Sequence, residues 1–320
     1  MSAKLERESS FWDAKQPPIT DLDPELYRVS PGDLTDRSVP WLPYLGFPRH
    51  VDEVLNHLGD LRDARVLDLG CGTGFMACLA AAAGAEVEAV DISESSLEVA
   101  RWRAQVSGLS SRIRFHAAPA EVLPFADESF DAVCGAFVLH HLDLSVAAPE
   151  LRRVLRPGGR GAFIETSGGS RLLMAARRLL PGSLGIEKAS SDDEAPLGAS
   201  SRKWLEKSFG GSLRFSYPTT LFFRMLCYVP PLHRAPMRHL LAGADELLHR
   251  VPAMRSQSYY SVVSFEREGP SATARQIPGS LREASDLVLP AESPEQTYQA
   301  AAASGEGVAC APVVRKPASA

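Results

Sequence analysis

The chain has 320 residues, 45% hydrophobic and 23% charged, an ordinary globular balance that excludes collagen-like, coiled-coil and wholly disordered architectures. A formal net charge of −5 supplies no electrostatic footprint for a nucleic-acid partner. Five cysteines without regular spacing give neither a disulfide framework nor a zinc pattern, and no metal site is expected. The charged N-terminus lacks the apolar centre of a signal peptide, and no apolar run approaches the roughly 18 residues of a membrane span, so a cytoplasmic location is expected.

Residues 1–45 combine prolines with the aromatics Phe11, Trp12, Tyr27, Trp41 and Tyr44, a pattern that predicts an ordered but irregular N-terminal arm laid on the body. Val51, Val54, Leu55, Leu58 and Leu61 recur at helical spacing. Arg65–Gly70 reads as a buried strand, and Ala-rich helical sequence follows to a C-cap at Gly84. Glu86–Asp91 is a second strand, and Ser95 with Glu98 forms a capping box for a helix running to about Ser107. Strands over Ile113–Ala117, Phe130–Ala136 and Gly161–Glu165 follow, with a helix before the last stopped by Pro157-Gly158-Gly159. Strands alternating with helices at intervals of about 25 residues predict βαβ units and a parallel sheet covered on both faces. Leu213–Tyr217 and Ser258–Phe265 add two strands, so the expected architecture is α/β: a Rossmann-like, doubly wound, seven-stranded, mostly parallel sheet. That domain should occupy 46–266, with helical cap insertions near 168–210 and 219–250, and 267–320 is expected to be a disordered tail for want of apolar sequence.

The most informative stretch is Val66-Leu-Asp-Leu-Gly-Cys-Gly-Thr-Gly74. A strand entering a glycine-rich turn and then a helix aims backbone N–H groups at a ligand. A glycine loop alone is a weak signal, because Gly72, Gly74 and Ala77 with Asp91 also fit a dinucleotide fingerprint. Asp68 discriminates: its carboxylate would repel a pyrophosphate but suits a ligand that carries an ammonium and a sulfonium. S-adenosyl-L-methionine is therefore favoured over NAD as cofactor.

Together with Asp91, Leu123-Pro-Phe125, Ser129-Phe-Asp131, Leu139-His-His-Leu142 and Leu155-Arg-Pro-Gly-Gly159, this stretch resembles class I S-adenosylmethionine-dependent methyltransferases, and most closely their small-molecule branch of ubiquinone/menaquinone-type enzymes. The resemblance covers about residues 50–166, with the motifs in the family's order. It implies that Asp68 and the backbone of Gly70, Cys71 and Gly72, in the loop ending at Gly74, hold the methionine end of the cofactor. It further implies that Asp91 accepts from the ribose hydroxyls, Ile92 packs on the adenine, Ala120 and Glu121 lie along its edge, and Ala136 sits near the methionine moiety. One departure stands out: Pro119 occupies the position where the family commonly has an acidic acceptor for the adenine amine. Glu121, a water, or stacking and backbone contacts must then replace it, and one such bond is worth about 1 kcal/mol.

His140, His141 and Glu165 are the candidate catalytic groups. Adjacent residues at a helix start diverge, so at most one histidine is expected to face the pocket as a general base, the alternative being a buried or capping role. Glu165 ends the fifth strand, on the edge where open α/β sheets bind ligands. Leu221–Val229 is either a lid over a greasy substrate or a helix packed on the sheet. Glu165, Arg177-Arg178, Asp193–Leu197 and the stretch from Arg250 to Tyr260 are also similar to bacterial members of this branch with a helical cap. The resulting expectation is methyl transfer to a small, hydrophobic acceptor, with no nucleic-acid partner and with peripheral membrane contact allowed; the atom methylated and the oligomeric state stay open. The rival readings are an NAD-dependent oxidoreductase and a non-catalytic binding protein on the same fold.

Overall fold

A computed structural model of the chain describes residues 3–30, 47–179, 196–228 and 235–269. Its frame is one seven-stranded sheet in the order β3-β2-β1-β4-β5-β7-β6, built from β1 (Arg65–Leu69), β2 (Glu86–Asp91), β3 (Ile113–Ala117), β4 (Phe130–Ala136), β5 (Leu155–Thr166), β6 (Arg214–Ser216) and β7 (Tyr260–Glu266). The pairs β3-β2, β2-β1, β1-β4 and β4-β5 are parallel, whereas β7 lies antiparallel between β5 and β6. This is the expected doubly wound sheet.

Strands buried on both faces read as continuous apolar runs. Val66, Leu67 and Leu69 of β1 are all fully buried. One face packs against α3 (Phe47–Leu58), α4 (Phe75–Ala82) and α5 (Glu94–Val106), through Val54, Leu79 and Leu97 among others. The opposite face packs against α6 (Leu144–Val154) and α8 (Ala199–Phe209), through Leu151, Leu205 and Phe209. Phe209 stacks on Phe265 of β7 with ring centroids 3.7 Å apart, which anchors the first cap insertion to the sheet. The remaining helices are α1 (Ala3–Asp13), α2 (Pro24–Tyr27), α7 (Arg171–Leu179), α9 (Ala235–His249) and α10 (Pro252–Arg255).

Several local expectations are corrected. The first part of the N-terminal arm is not irregular: it forms α1, while Trp41 and Tyr44 lie outside the described residues. The cap of α5 is Ser93, whose hydroxyl accepts from Ser96 N, rather than Ser95 in a box with Glu98. The Pro157-Gly158-Gly159 turn does not separate helix from strand; α6 ends at Val154, and β5 pairs at Leu155 before bulging through the turn to rejoin β4 at Arg160. Arg267 belongs to the body: its backbone exchanges bonds with Gly158 and Gly159, and its guanidinium binds the Arg152 and Leu155 carbonyls. The expected tail beyond Gly269 and parts of both insertions (180–195 and 229–234) lie outside the described residues.

Candidate functional site

In an open parallel sheet, ligands bind beyond the carboxyl ends of the strands where the strand order reverses. Here the reversal falls between β1 and β4. The loops after β1, β2, β3 and β4 and the end of β5 therefore converge on one edge, and the site residues read from the sequence lie in them or at the carboxyl ends of those strands.

The loop after β1 uses three left-handed glycines: Gly70, Gly72 and Gly74 have φ of +60°, +49° and +79°. A Cβ on Gly70 would lie 2.3 Å from Val138 Cγ2, whereas one on Gly72 would meet nothing within 4 Å. Gly70 is thus required by packing and backbone conformation, and Gly72 keeps the loop bare toward open space. Cys71 N donates to Val90 O at 3.0 Å, tying the loop to β2.

Asp91 organises the next loop. Its Oδ2 accepts from Gly72 N at 2.8 Å and its Oδ1 from Ser93 N at 2.9 Å, so one carboxylate joins the glycine loop to the start of α5. Burial raises its pKa above the usual carboxylate range against these hydrogen bonds. Asp68 is fully buried, and burial pushes its carboxyl up to about 8. The Ala77 N–H and the Cys134 thiol favour its charged form, but Oδ2 makes no hydrogen bond of normal geometry. Ala120 is buried, and Ala136 packs partly buried against the core. Glu121 accepts from Asp143 N through Oε1 at 3.3 Å, while its Oε2 is buried without a hydrogen bond.

The loop after β4 is held by Glu165, which is fully buried. Its Oε1 accepts from Val138 N at 3.0 Å and from Leu139 N at 2.7 Å, and its Oε2 lies 2.6 Å from His140 Nδ1. Glu165 therefore faces into the chain and shapes the loop. Phe137, just after β4, is held at φ +59° by a 2.7 Å bond from its N to Ile164 O, a strained conformation for a non-glycine residue. The two histidines do not diverge: they lie in a turn before α6, and their ring centroids are 4.3 Å apart with the planes tilted by 36°.

The N-terminal arm expected to lie on the body covers this edge, as the helix α1. From α1, Asp13 accepts from Ser93 Oγ at 2.7 Å and Ser95 N at 3.1 Å, bonds that hold its carboxyl below the usual range. Ser9 Oγ donates to Ile92 O at 3.0 Å, and Lys4 Nζ to His141 O at 2.9 Å. Trp12 meets the His141 ring edge-on at 5.7 Å, and Glu8 Oε2 lies 3.5 Å from His141 Nδ1. One helix thus bridges the loops after β2 and β4. The spacing of Leu5, Ser9 and Trp12 is its only local sign in the sequence, and the prolines that follow obscure it.

Over its described part, the second insertion is a 3₁₀ turn at Phe223–Tyr228 rather than an α-helix, and Val229 lies outside the described residues. Buried Asp245 of α9 accepts from the backbone N of Phe222, Phe223 and Arg224 and from Arg224 Nε. Leu221 O accepts from Tyr259 N, which brings the turn beside the start of β7 and hence the same edge. Among the described residues no group of three or more His, Cys, Asp or Glu is placed to hold a metal. No helix there is long and apolar enough to cross a membrane.

Comparison with known proteins agrees with this geometry. Residues 67–163 match the methyltransferase-domain family. The resemblance read from the glycine loop and its companion motifs is thereby borne out over the segment that builds the edge. Methyltransferase GfsG of Streptomyces halstedii is 40% identical over 119 residues, covering 37% of this chain and 43% of that protein. A demethylmenaquinone methyltransferase of Clavibacter sepedonicus is 46% identical over 104 residues, 32% of this chain and 41% of that protein. The chain thus spans less than half the length of these curated relatives. The geranyl diphosphate C-methyltransferase of Streptomyces coelicolor A3(2), solved with S-adenosyl-L-homocysteine, superposes with a TM-score of 0.56 at 15% identity, covering 83% of this chain and 98% of that one. That likeness shows the fold.

Asp245→Ala would leave three backbone donors and a guanidinium without their buried acceptor. A loss of about 3–5 kcal/mol is expected in urea unfolding, with the sheet core otherwise intact by circular dichroism.

Proposed function

We propose that the chain transfers a methyl group from S-adenosyl-L-methionine to a small, largely hydrophobic acceptor. The observation that carries this reading is a pair of buried carboxylate oxygens lacking a hydrogen bond, Asp68 Oδ2 and Glu121 Oε2. Such acceptors are costly unless a ligand donates to them. An ammonium at the methionine end and an exocyclic amine at the adenine end are donors of the required kind. Glu121 would thus supply the acceptor that Pro119 cannot.

Asp68 with the backbone of Gly70, Cys71, Gly72 and Gly74 would hold the methionine end, and Asp91 the ribose. Ile92 and Ala120 would line the adenine, and Ala136 the methionine moiety. The cofactor supplies an electrophilic methyl group on a sulfonium, so the protein's share is alignment and exclusion of water. In this reading His140 and His141 are the available bases, and Glu165 is the group that positions His140 rather than a base itself.

Support for an apolar acceptor comes from the Phe222-Phe223 turn beside the edge and from the quinone-methylating relative. Leu240 and Leu247, exposed on α9, support contact with a lipid surface as part of the proposal. A panel of quinol, lipid and polyketide acceptors, each offered with radiolabelled cofactor, is expected to give transfer to at least one; labelling confined to sugars or nucleotides would overturn the apolar assignment.

Asp91→Ala should lower S-adenosylmethionine affinity at least about 10-fold, through loss of charge-assisted hydrogen bonds worth roughly 1.5–3 kcal/mol each. Calorimetry against S-adenosylmethionine, with NADH as the competing ligand, measures this, and preferential NADH binding would favour an oxidoreductase.

With its pKa near 8, Asp68 is mostly protonated at pH 7 in the free protein. A bound ammonium favours the carboxylate, so binding should release about one proton at pH 7. The release should vanish above pH 9, where the carboxyl is already ionised. Calorimetry in buffers of differing ionisation enthalpy reads the proton directly.

A further inference from the structure

The functional edge holds two carboxylate–imidazole pairs side by side. In the first, Glu165 of β5 faces His140 Nδ1 at 2.6 Å. In the second, Glu8 of α1 faces His141 Nδ1 at 3.5 Å. The two ring centroids lie 4.3 Å apart with the planes tilted by 36°, and the four side chains range from fully buried to 12% exposed. We propose that Glu8, on the N-terminal helix, is the positioning residue that makes His141 the general base for an acceptor carrying an ionisable hydroxyl.

The physical argument starts from the tautomer. A neutral imidazole has one N–H and one acceptor nitrogen, and a carboxylate at Nδ1 selects the Nδ1–H form. With Nδ1–H turned to Glu8, Nε2 is the basic nitrogen of the ring. Its basicity depends on how well the imidazolium is tolerated once a proton arrives. A single positive ring beside a second imidazole would be disfavoured in a buried site; a carboxylate near each Nδ1 offsets that cost. Trp12 packs against the His141 ring at 82° with centroids 5.7 Å apart. A separation of 3.5 Å is long for a hydrogen bond, as catalytic contacts often are before ligands bind.

The other charged groups nearby are fixed in place. Lys4 Nζ is held on the His141 carbonyl at 2.9 Å. Asp143 caps α6 through Ser145, and Glu121 accepts from Asp143 N. Glu165 already serves two backbone donors as well as His140. Glu8 therefore stands as the carboxylate directed at His141 Nδ1.

This assignment rests on the methyl-transfer reading. In the step, the acceptor O–H bond breaks and its proton passes to His141 Nε2. The O–CH₃ bond forms as the S–CH₃ bond breaks, and that electron pair remains on sulfur. The proton leaves to solvent after product release. The recognised acceptor class is then a phenol, hydroquinone or enol, whose oxygen becomes nucleophilic as the proton departs.

The test is a pH titration of the full-length chain labelled at histidine carbon and nitrogen, followed by NMR, with His140→Asn and His141→Asn assigning the two rings. In the wild type both imidazoles should be Nδ1–H tautomers. Glu8→Gln should lower the His141 midpoint by about one pH unit, since an adjacent anion is removed, with a smaller change at His140. It should leave S-adenosylmethionine affinity unchanged by calorimetry. An unchanged His141 midpoint overturns the proposal. So does an Nε2–H tautomer at His141 in the wild type, which needs no variant to fold. Failure of the wild type to bind S-adenosylmethionine would instead sink the methyl-transfer reading, while the titration still reports on the pair.

Discussion

The carboxylate of Glu165 is fully buried, and the shape of the functional edge follows from how it is satisfied. Two backbone N–H groups, from Val138 and Leu139, and the imidazole of His140 converge on its two oxygens. An ionised group at such depth is tolerated only with this number of donors. The same bonds turn the chain leaving β4 across the end of β5, next to the left-handed Phe137 bonded to Ile164 O, and bring the His140 and His141 rings within 4.3 Å. Val138, held in that turn, in turn excludes any side chain at Gly70. One buried acid thus couples the end of β5 to the glycine loop after β1.

Other carboxylates around the edge follow the same logic. Asp91 joins the glycine loop to α5, Asp13 ties α1 to the start of α5, and Asp245 gathers the turn of the second insertion onto α9. Each converts otherwise orphaned backbone donors into a fixed loop, since buried N–H groups without partners are costly. Asp68 and Glu121 differ. Each has a buried oxygen that accepts no hydrogen bond, so neither is accounted for as a clamp alone.

Much of this was legible in the chain. Alternating apolar strands and helices specify a parallel sheet with covered faces, because only such a sheet buries runs like that of β1 on both sides. The glycines of the loop could be placed because positive φ has few other solutions. Less legible were the residues whose role depends on distant partners. Glu165 reads as a catalytic acid on the sheet edge, yet its depth makes it an acceptor for backbone. Adjacent histidines read as divergent, yet a turn rather than a helix brings their rings together. Leu221–Val229 reads as either a lid or a packed helix, and bonds from three successive N–H groups to Asp245 accompany a 3₁₀ turn over its described part.

The sequence by itself determined the α/β sheet, the glycine loop after β1 and the acids at Asp68 and Asp91, because strand periodicity, left-handed glycines and short spacings are local properties of the chain. Tertiary structure alone decided that α1 closes the edge, through Asp13 on Ser93 and Ser9 on Ile92, and that Glu8 meets His141. Those contacts join residues 80 or more positions apart. No local propensity encodes such pairings; burial of the partners and satisfaction of their polar atoms select them only once the sheet has brought the loops together.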